Sequence, residues 1–237
     1  MKFLSIAFLL ALSLQLVSCK NSTTAADPDP ATLTWNKLRV GTKWTISGST
    51  IDSTNKGVVT TPESATYEVI ADDISIFGKD SVRAYLSAGA TDPGHLAYEI
   101  NGDISLLQSY VDSGVTIPVS WYTFPVKSKG SVTFPSDTAY FPDTGIGLST
   151  FIMSYDGTEN LVLAGHTFAC IRIKETSTVI DLKAPYERMS GGLMYQWYAP
   201  EFGYFVKYTD RDTDYTSTGG IASLHYRNTE LVSYSIK

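Results

Sequence analysis

Apolar and polar residues alternate over short stretches from Leu33 onward. This period of two is typical of strands that bury one face. Turn-forming residues recur roughly every eight to twelve positions, and no long helical period appears. The pattern predicts an all-β or mainly β domain with a curved antiparallel sheet, an open barrel or a sandwich, and few short helices. The clearest alternating stretches are Trp44/Ile46, Val82/Ala84/Leu86 and Phe151/Met153/Tyr155.

Turn signals separate the predicted strands. The strongest is Asn101-Gly102, because this pair tolerates the positive φ angles of a tight hairpin turn. Further turns are expected at Asp92-Pro93-Gly94, Asp156-Gly157 and Gly219-Gly220. A similar order of strands and turns recurs in the two halves of the chain, and it favours two similar half-sheets no more than it favours chance recurrence.

The N-terminus follows a different pattern. Lys2 precedes an apolar stretch from Phe3 to Leu14, and the run Leu16-Val17-Ser18-Cys19 follows it. This order resembles the signal peptide and lipobox of bacterial lipoproteins. The resemblance implies cleavage before Cys19 and attachment of lipid to that residue. A transmembrane anchor is less consistent with the sequence, since the apolar stretch is short for a hydrocarbon layer of about 30 Å. A plain secretory signal cut nearby is the remaining alternative.

The predicted organisation has three parts: a signal peptide over residues 1–18, the lipidated Cys19 with a flexible tether over 19–30, and a single β-rich domain over 31–237. The tether contains no large apolar residue and ends in two Asp-Pro pairs, which favour extended backbone. A location in the bacterial cell envelope follows, anchored to the membrane through the N-terminal lipid. The residue after Cys19 is Lys20. If the host retains lipoproteins with Asp at that position in the inner membrane, Lys20 favours the outer membrane.

Charge narrows the range of partners. The chain carries 18 Lys and Arg against 24 Asp and Glu, and its formal net charge is −6. Binding to nucleic acid requires a basic patch that neutralises phosphates, and no cluster of Lys or Arg is visible. We therefore expect no nucleic-acid partner.

Acylation of Cys19 would leave Cys170 as the one remaining thiol, so no intramolecular disulfide is expected. Its neighbours Phe168, Ile171 and Ile173 are apolar and predict a buried, inert thiol. A nucleophilic cysteine needs an adjacent base, and His166 lies about 13 Å away if the strand is extended.

Four segments resemble those of a large group of uncharacterised bacterial envelope lipoproteins. They are Leu38–Trp44, Val162–Ile173, Trp197–Tyr208 and the terminal Glu230–Tyr234. The resemblance implies a curved antiparallel sheet or open barrel of the kind seen in LolA/LolB-type lipoprotein carriers. It implies no catalytic residue.

Motifs for catalysis, phosphate binding and zinc binding are absent from the sequence. We therefore predict no catalytic, cofactor-binding or metal-binding residue, and no cofactor. The three histidines His95, His166 and His225 are isolated in sequence. Asp210-Arg211-Asp212-Thr213-Asp214 resembles part of a calcium loop but lacks its glycine and its bidentate glutamate, which predicts a solvated hairpin end.

Aromatic residues are the remaining clue, with 15 Tyr, 10 Phe and 4 Trp. A strand over residues 193–198 would place Tyr195 and Trp197 on one face, and Met194 and Tyr198 on the other. These aromatics either form part of a core or, with Trp121, contact an acyl chain or a sugar ring in a cleft.

Three functions remain open. The first is a non-enzymatic lipid-anchored envelope protein whose curved sheet holds an apolar ligand or a protein partner. The second is a surface glycan-binding module, which requires coplanar exposed rings. The third is a hydrolase with carboxylates from separate strands, such as Glu99 and Asp103, although their closeness across one tight turn is explained by hairpin solubility.

Overall fold

The computed structural model describes most of the chain after the predicted tether. The described residues are 28–29, 32–54, 56–76, 78–87, 95–100, 103–108, 111–112, 115–116, 120–134, 137–141, 145–182, 188–216 and 218–237. Cys19, the predicted signal peptide, most of the tether and the predicted turn at Asp92-Pro93-Gly94 lie outside these residues.

The described residues form strands and contain no α-helix. In this part of the chain, no helix is therefore long and apolar enough to cross a membrane. The strands are β1 (Lys43–Thr54), β2 (Gly57–Ile76), β3 (Lys79–Ser87), β4 (His95–Ile100), β5 (Asp103–Gln108), β6 (Val111–Asp112), β7 (Val115–Thr116), β8 (Ser120–Phe124), β9 (Ser131–Thr133), β10 (Asp137–Phe141), β11 (Gly145–Leu163), β12 (His166–Asp181), β13 (Arg188–Ala199), β14 (Tyr204–Tyr215) and β15 (Ile221–Ser235).

One large antiparallel sheet contains thirteen of these strands. Its order is β10-β11-β12-β13-β14-β15-β1-β2-β3-β4-β5-β8, with β9 paired to β11, while β6 and β7 form a separate pair. The prediction of an antiparallel β domain is confirmed. Most neighbours in the sheet are consecutive strands, but β5 pairs with β8 and β9 with β11. The pairing of β15 with β1 brings the C-terminal strand against the first one.

The sheet curls until its two halves share a core. Phe124 in β8 and Phe205 in β14 are seven places apart in the strand order, yet their ring centroids are 4.9 Å apart. Tyr122 in β8 similarly contacts Phe134, which follows β9, at 4.7 Å. The sheet ends, β10 and β8, do not pair with each other in the described residues, so the structure is an incomplete barrel.

Two predicted turns are found. Ile100 pairs with Asp103, so β4 and β5 form the predicted tight hairpin, although Asn101 and Gly102 themselves lie outside the described residues. Gly219 adopts a φ of 79° in the turn before β15, where the Thr216 N–H donates to the Gly220 carbonyl at 2.7 Å. Positive φ carries little steric cost for glycine, which explains its place in this turn.

The turn predicted at Asp156-Gly157 is wrong. These residues lie inside β11, which continues to pair with β12 beyond a register shift between Tyr155 and Gly157. Gly157 has a φ of 119°. Its unusual backbone therefore produces a β-bulge that bends one long strand, and no reversal of the chain.

The segment before β1 covers one end of the curved sheet. Leu38 is buried in the core, and the Trp35 ring lies 6.0 Å from that of Tyr198. The Asn36 N–H donates to the Pro200 carbonyl at 2.9 Å. Gly203, with a φ of 85°, allows this approach, since a Cβ there would lie 2.6 Å from the Asn36 carbonyl oxygen.

Candidate functional site

A cleft of about 590 Å³ lies on the inner face of the curved sheet. Its volume is within the range of about 300–1,000 Å³ that is usual for small-molecule sites. Aromatic and aliphatic side chains form one part of its lining, namely Trp44, Ile46, Tyr67, Leu106, Tyr204 and Tyr208. Polar side chains form the other part, among them Glu63, Gln196, Arg227 and Thr229.

Strand register places these side chains together. Gln196 pairs with Tyr208, Tyr208 with Thr229, and Thr229 with Gly48, so their positions share one face across four strands. Gly48 lets β1 pass close to β15, because a Cβ there would lie 1.9 Å from the carbonyl oxygen of Asn228. A side chain at this position would displace backbone at the floor of the cleft.

Trp44 forms the deep aromatic end of the cleft. Its ring stacks on Tyr67 at 5.5 Å and lies 5.1 Å from the ring of Tyr204. Only 1% of Trp44 is exposed, and its Nε1 has no hydrogen-bond partner among the described residues. A buried donor without a partner costs about 1–3 kcal/mol.

The tyrosines of the cleft present neutral hydroxyl groups. Burial raises the pKa of Tyr67, Tyr204 and Tyr208, and the neighbouring phenols add to the rise for Tyr204. The hydroxyl groups of Tyr204 and Tyr208 also hydrogen-bond to each other. These side chains therefore contribute rings and polar hydrogens but no charge at neutral pH.

The inner face becomes acidic beyond the aromatic part. Glu175, Asp210 and Asp212 line an adjoining cavity of about 220 Å³ together with Gly192. Asp210 accepts a hydrogen bond from Nη2 of Arg227 at 3.2 Å, and Arg227 also lines the larger cleft. Because Arg227 lines one cavity and Asp210 the other, the two cavities are neighbours.

Two further groups complete this region. Asp212 pairs in register with His225, and His225 with Asp52, whose Oδ1 lies 2.5 Å from His225 Nδ1. We call the side chains of Asp52, Glu175, Asp210, Asp212, Arg227 and His225 the acidic trough. His166 lies outside this region, is exposed and contacts Glu201 at 3.1 Å.

Burial raises the pKa of Glu175 to about 7, and the charges of Asp210 and Asp212 add to the rise. Partial burial and Asp210 likewise raise the pKa of Asp212, against the opposing effect of His225. The three carboxyl groups thus lie close enough to disfavour full ionisation.

The prediction of a solvated hairpin end at Asp210–Asp214 holds only in part. The segment lies within β14, close to the turn that leads to β15, and Arg211, Asp212 and Asp214 are exposed. Asp210 departs from the prediction, because it is only 8% exposed. Alternation places Asp210 and Asp212 on the inner face. In the described residues, no group of three or more His, Cys, Asp or Glu side chains is arranged to hold a metal ion.

The three aromatics predicted to contact a ligand lie outside the cleft. Tyr195 and Trp197 flank Gln196, which lines the cleft, so alternation sends both to the opposite face. Trp121 packs in a small cluster around Val82 and Ala84. Ligand contact by these three residues stays a prediction, and the cleft is lined by other aromatics.

Tyr195 and Trp197 belong to a network of charged groups on that opposite face. Arg172 contacts Asp156 at 2.7 Å and Glu159 at 3.1 Å, and Glu159 also accepts the Trp197 Nε1–H. The Arg172 guanidinium lies 5.5 Å from the centre of the Tyr195 ring. These contacts are mutually satisfied and stabilise the pairing of β11, β12 and β13.

Cys170 is fully buried, as predicted. Burial raises the pKa of its thiol, and the charges of Glu159 and Glu201 add to the rise. Asp103 also has a structural role, because its carboxylate accepts the backbone N–H groups of Lys127 and Ser128 at 2.7 and 2.9 Å. The side chain of Glu99 lies outside the described residues.

Comparison with known proteins gives no family. No family model and no curated protein matches the chain. Among solved structures, a candidate lipoprotein of Parabacteroides distasonis is 17% identical, covers 86% of this chain and 99% of its own, and has a TM-score of 0.47. A candidate exported protein with a YmcC-like fold from Bacteroides fragilis is 14% identical over 86% and 99% of the two chains, with a TM-score of 0.42.

The hypothetical lipoprotein YmcC of Escherichia coli is 12% identical over 82% of this chain and 86% of its own, with a TM-score of 0.34. At these values the likenesses establish neither family nor function. A LolA/LolB-like architecture stays a prediction.

Proposed function

We propose that the protein is a non-enzymatic, lipid-anchored protein of the bacterial envelope that holds an organic ligand in its inner cleft. The observation that carries this proposal is the cleft of about 590 Å³ with Trp44 at its deep end. Rings supply apolar surface there, and Gln196, Arg227 and Thr229 are among the polar groups of the lining. Apolar walls with a few placed polar groups are the usual composition of a ligand site.

The surroundings of two reactive side chains, Cys170 and Asp103, support a non-enzymatic function. The thiol of Cys170 is buried and its pKa is raised, which disfavours the thiolate that a nucleophile needs. The carboxylate of Asp103 holds the backbone of residues 127–128. Glycan binding receives less support, because the Tyr195 and Trp197 rings are inclined at 44° and Trp197 is 8% exposed.

The envelope location rests on the lipobox that ends at Cys19. Expression with labelled palmitate in a bacterial host tests it directly. We expect label in the membrane-associated protein and its loss in a Cys19→Ser variant. Equal labelling of the variant, or none of the native chain, would contradict lipid anchoring.

Native mass spectrometry tests the binding proposal. The full chain with Cys19→Ser, purified without detergent from a bacterial host, is expected to carry a bound small molecule. An Ala65→Trp variant would place a large ring in the cleft that Ala65 lines, while Gly130→Leu changes a position whose nearest neighbouring atom lies 3.7 Å away. We expect loss of the bound mass only for the first variant, with circular dichroism showing that both still fold.

A further inference from the structure

We infer that the ligand of the cleft is a cationic amphiphile, an elongated molecule with an apolar body and an ammonium or guanidinium group. This inference rests on the proposed function and specifies its ligand class. The apolar body would lie along Trp44, Tyr67 and Tyr204, and the cation would lie in the acidic trough.

The shape of the cleft indicates an elongated ligand. Its lining runs from Trp44 in β1 to Pro62 in β2, and Pro62 pairs with Ser49. Five residues of strand separate Trp44 from Ser49, which corresponds to about 17 Å. The lining changes along this axis from rings to charged side chains.

The charged end of the cleft favours a cation. Register places Glu175, Asp210 and Arg227 in one row across β12 to β15, and Asp212, His225 and Asp52 in the next. With Glu63 at the rim, five carboxylates share this part of the inner face with one arginine and one histidine.

Arg227 does not offset this excess of carboxylates. Its Nη2 donates to Asp210 at 3.2 Å, which compensates its charge within the trough. The Nε of Arg227 has no hydrogen-bond partner among the described residues, but it is buried and does not face a head group. An anionic head group would therefore meet Glu63 and Asp212, whereas an ammonium group would relieve the repulsion among the carboxylates.

The deep end of the cleft suits the apolar body. Trp44 is 1% exposed and its ring stacks on that of Tyr67, so the body would lie against ring surfaces and not against the buried Nε1. The surrounding rings also attract cations through their faces, so the whole cleft is compatible with positive charge.

Three probes with the same octyl chain test the inference: octyltrimethylammonium, octyl glucoside and octyl sulfate, each below the concentration at which it forms micelles. They are titrated by calorimetry into the full chain with Cys19→Ser at low ionic strength. We expect the ammonium probe to bind at least about tenfold more tightly than the others, and added salt to weaken it because the attraction is screened.

Two neutralising variants sharpen the result. At pH 8, above the raised pKa of Glu175, Asp212→Asn and Glu175→Gln are each expected to weaken binding of the ammonium probe about threefold to tenfold, as loss of one nearby charge predicts. Glu68→Gln is the matched control, because it removes the same charge from the opposite face of the sheet. Glu68 follows the inward-facing Tyr67 and pairs with Lys43. The affinity of this variant for the ammonium probe is expected to stay within twofold of the native value.

Each outcome decides between the two proposals. Equal or tighter binding of octyl sulfate or octyl glucoside would overturn the cationic ligand and leave the ligand-binding function standing. Binding of the ammonium probe that Asp212→Asn and Glu68→Gln weaken equally would also overturn it, since the charge would then act at long range. Failure of all three probes to bind would overturn both proposals.

Discussion

Glutamine in place of Glu175 should stabilise the protein at alkaline pH. The fold holds this carboxyl group beside Asp210 and Asp212 in a partly closed cavity, and its pKa is raised from 4.5 to about 7. A raised acid pKa means that the folded state keeps the proton after the unfolded state has lost it. Stability therefore falls as the pH rises from about 4.5 to about 7, and the full cost is present above that window.

The size of the effect follows from the shift. The change in pKa corresponds to at most about 3 kcal/mol, since one unit is about 1.4 kcal/mol. Glu175 is only partly buried, so solvent screening reduces the expected gain for Glu175→Gln to about 1–2 kcal/mol at pH 8. At pH 4.5 the carboxyl group is largely neutral, and the gain should be close to zero.

Urea unfolding at pH 4.5 and pH 8, followed by tryptophan fluorescence, measures both values. The charges that face Glu175 across the trough are Asp210, Asp212 and Arg227, and all of them are retained in the variant. Glu68→Gln again serves as the matched surface substitution, with an expected change of about 0–1 kcal/mol. A Glu175→Gln variant that is equally or less stable than the native chain at pH 8 would refute the reasoning.

Three other substitutions or reactions test the packing. Gly48→Ala should destabilise the fold by more than about 3 kcal/mol in urea unfolding, because its Cβ would lie 1.9 Å from a backbone oxygen. Gly130→Ala should be tolerated. Similar losses of stability for both variants would contradict the close packing of β1 and β15. Asp103→Ala should cost about 1–3 kcal/mol, since two backbone N–H groups lose their acceptor, and an unchanged urea midpoint would argue against that role. Cys170 should react with a thiol-specific dye only after denaturant is added, and rapid labelling of the native protein would show that the thiol is not buried.

Local signals were sufficient to predict the class of fold. Period-two alternation around Trp44 and Phe151 correctly indicated strands, and Asn101-Gly102 correctly indicated a hairpin. The error at Gly157 has a simple cause: a positive φ suits a turn and a bulge equally well, and only the pairing with β12 distinguishes them.

The cleft was harder to predict, because its residues meet through long-range register. Alternation along β13 correctly placed Tyr195 and Trp197 on one face, but it did not show that the opposite face, with Gln196, lines the cleft. Tyr204 and Tyr208 both line the cleft from β14, but only the pairing of β15 with β1 shows that Trp44 lies near them.

The acidic trough depends on register in the same way. Asp210 and Asp212 were visible as alternating carboxylates, but their partners Glu175 and Arg227 come from β12 and β15. Sequence spacing therefore suggested a solvated hairpin end, whereas cross-strand pairing buries Asp210 within a row of charged side chains.

The indole N–H resonances of the four tryptophans provide the most direct test of the ligand site. They can be assigned in the ¹⁵N-labelled full chain with Cys19→Ser by single Trp→Phe variants and followed during titration with octyltrimethylammonium. A saturable shift of the Trp44 signal, larger than the shifts of Trp121 and Trp197, is expected because Trp44 alone of these three lines the cleft. An unmoved Trp44 signal with shifts at Trp121 or Trp197 would contradict the account and locate the ligand elsewhere.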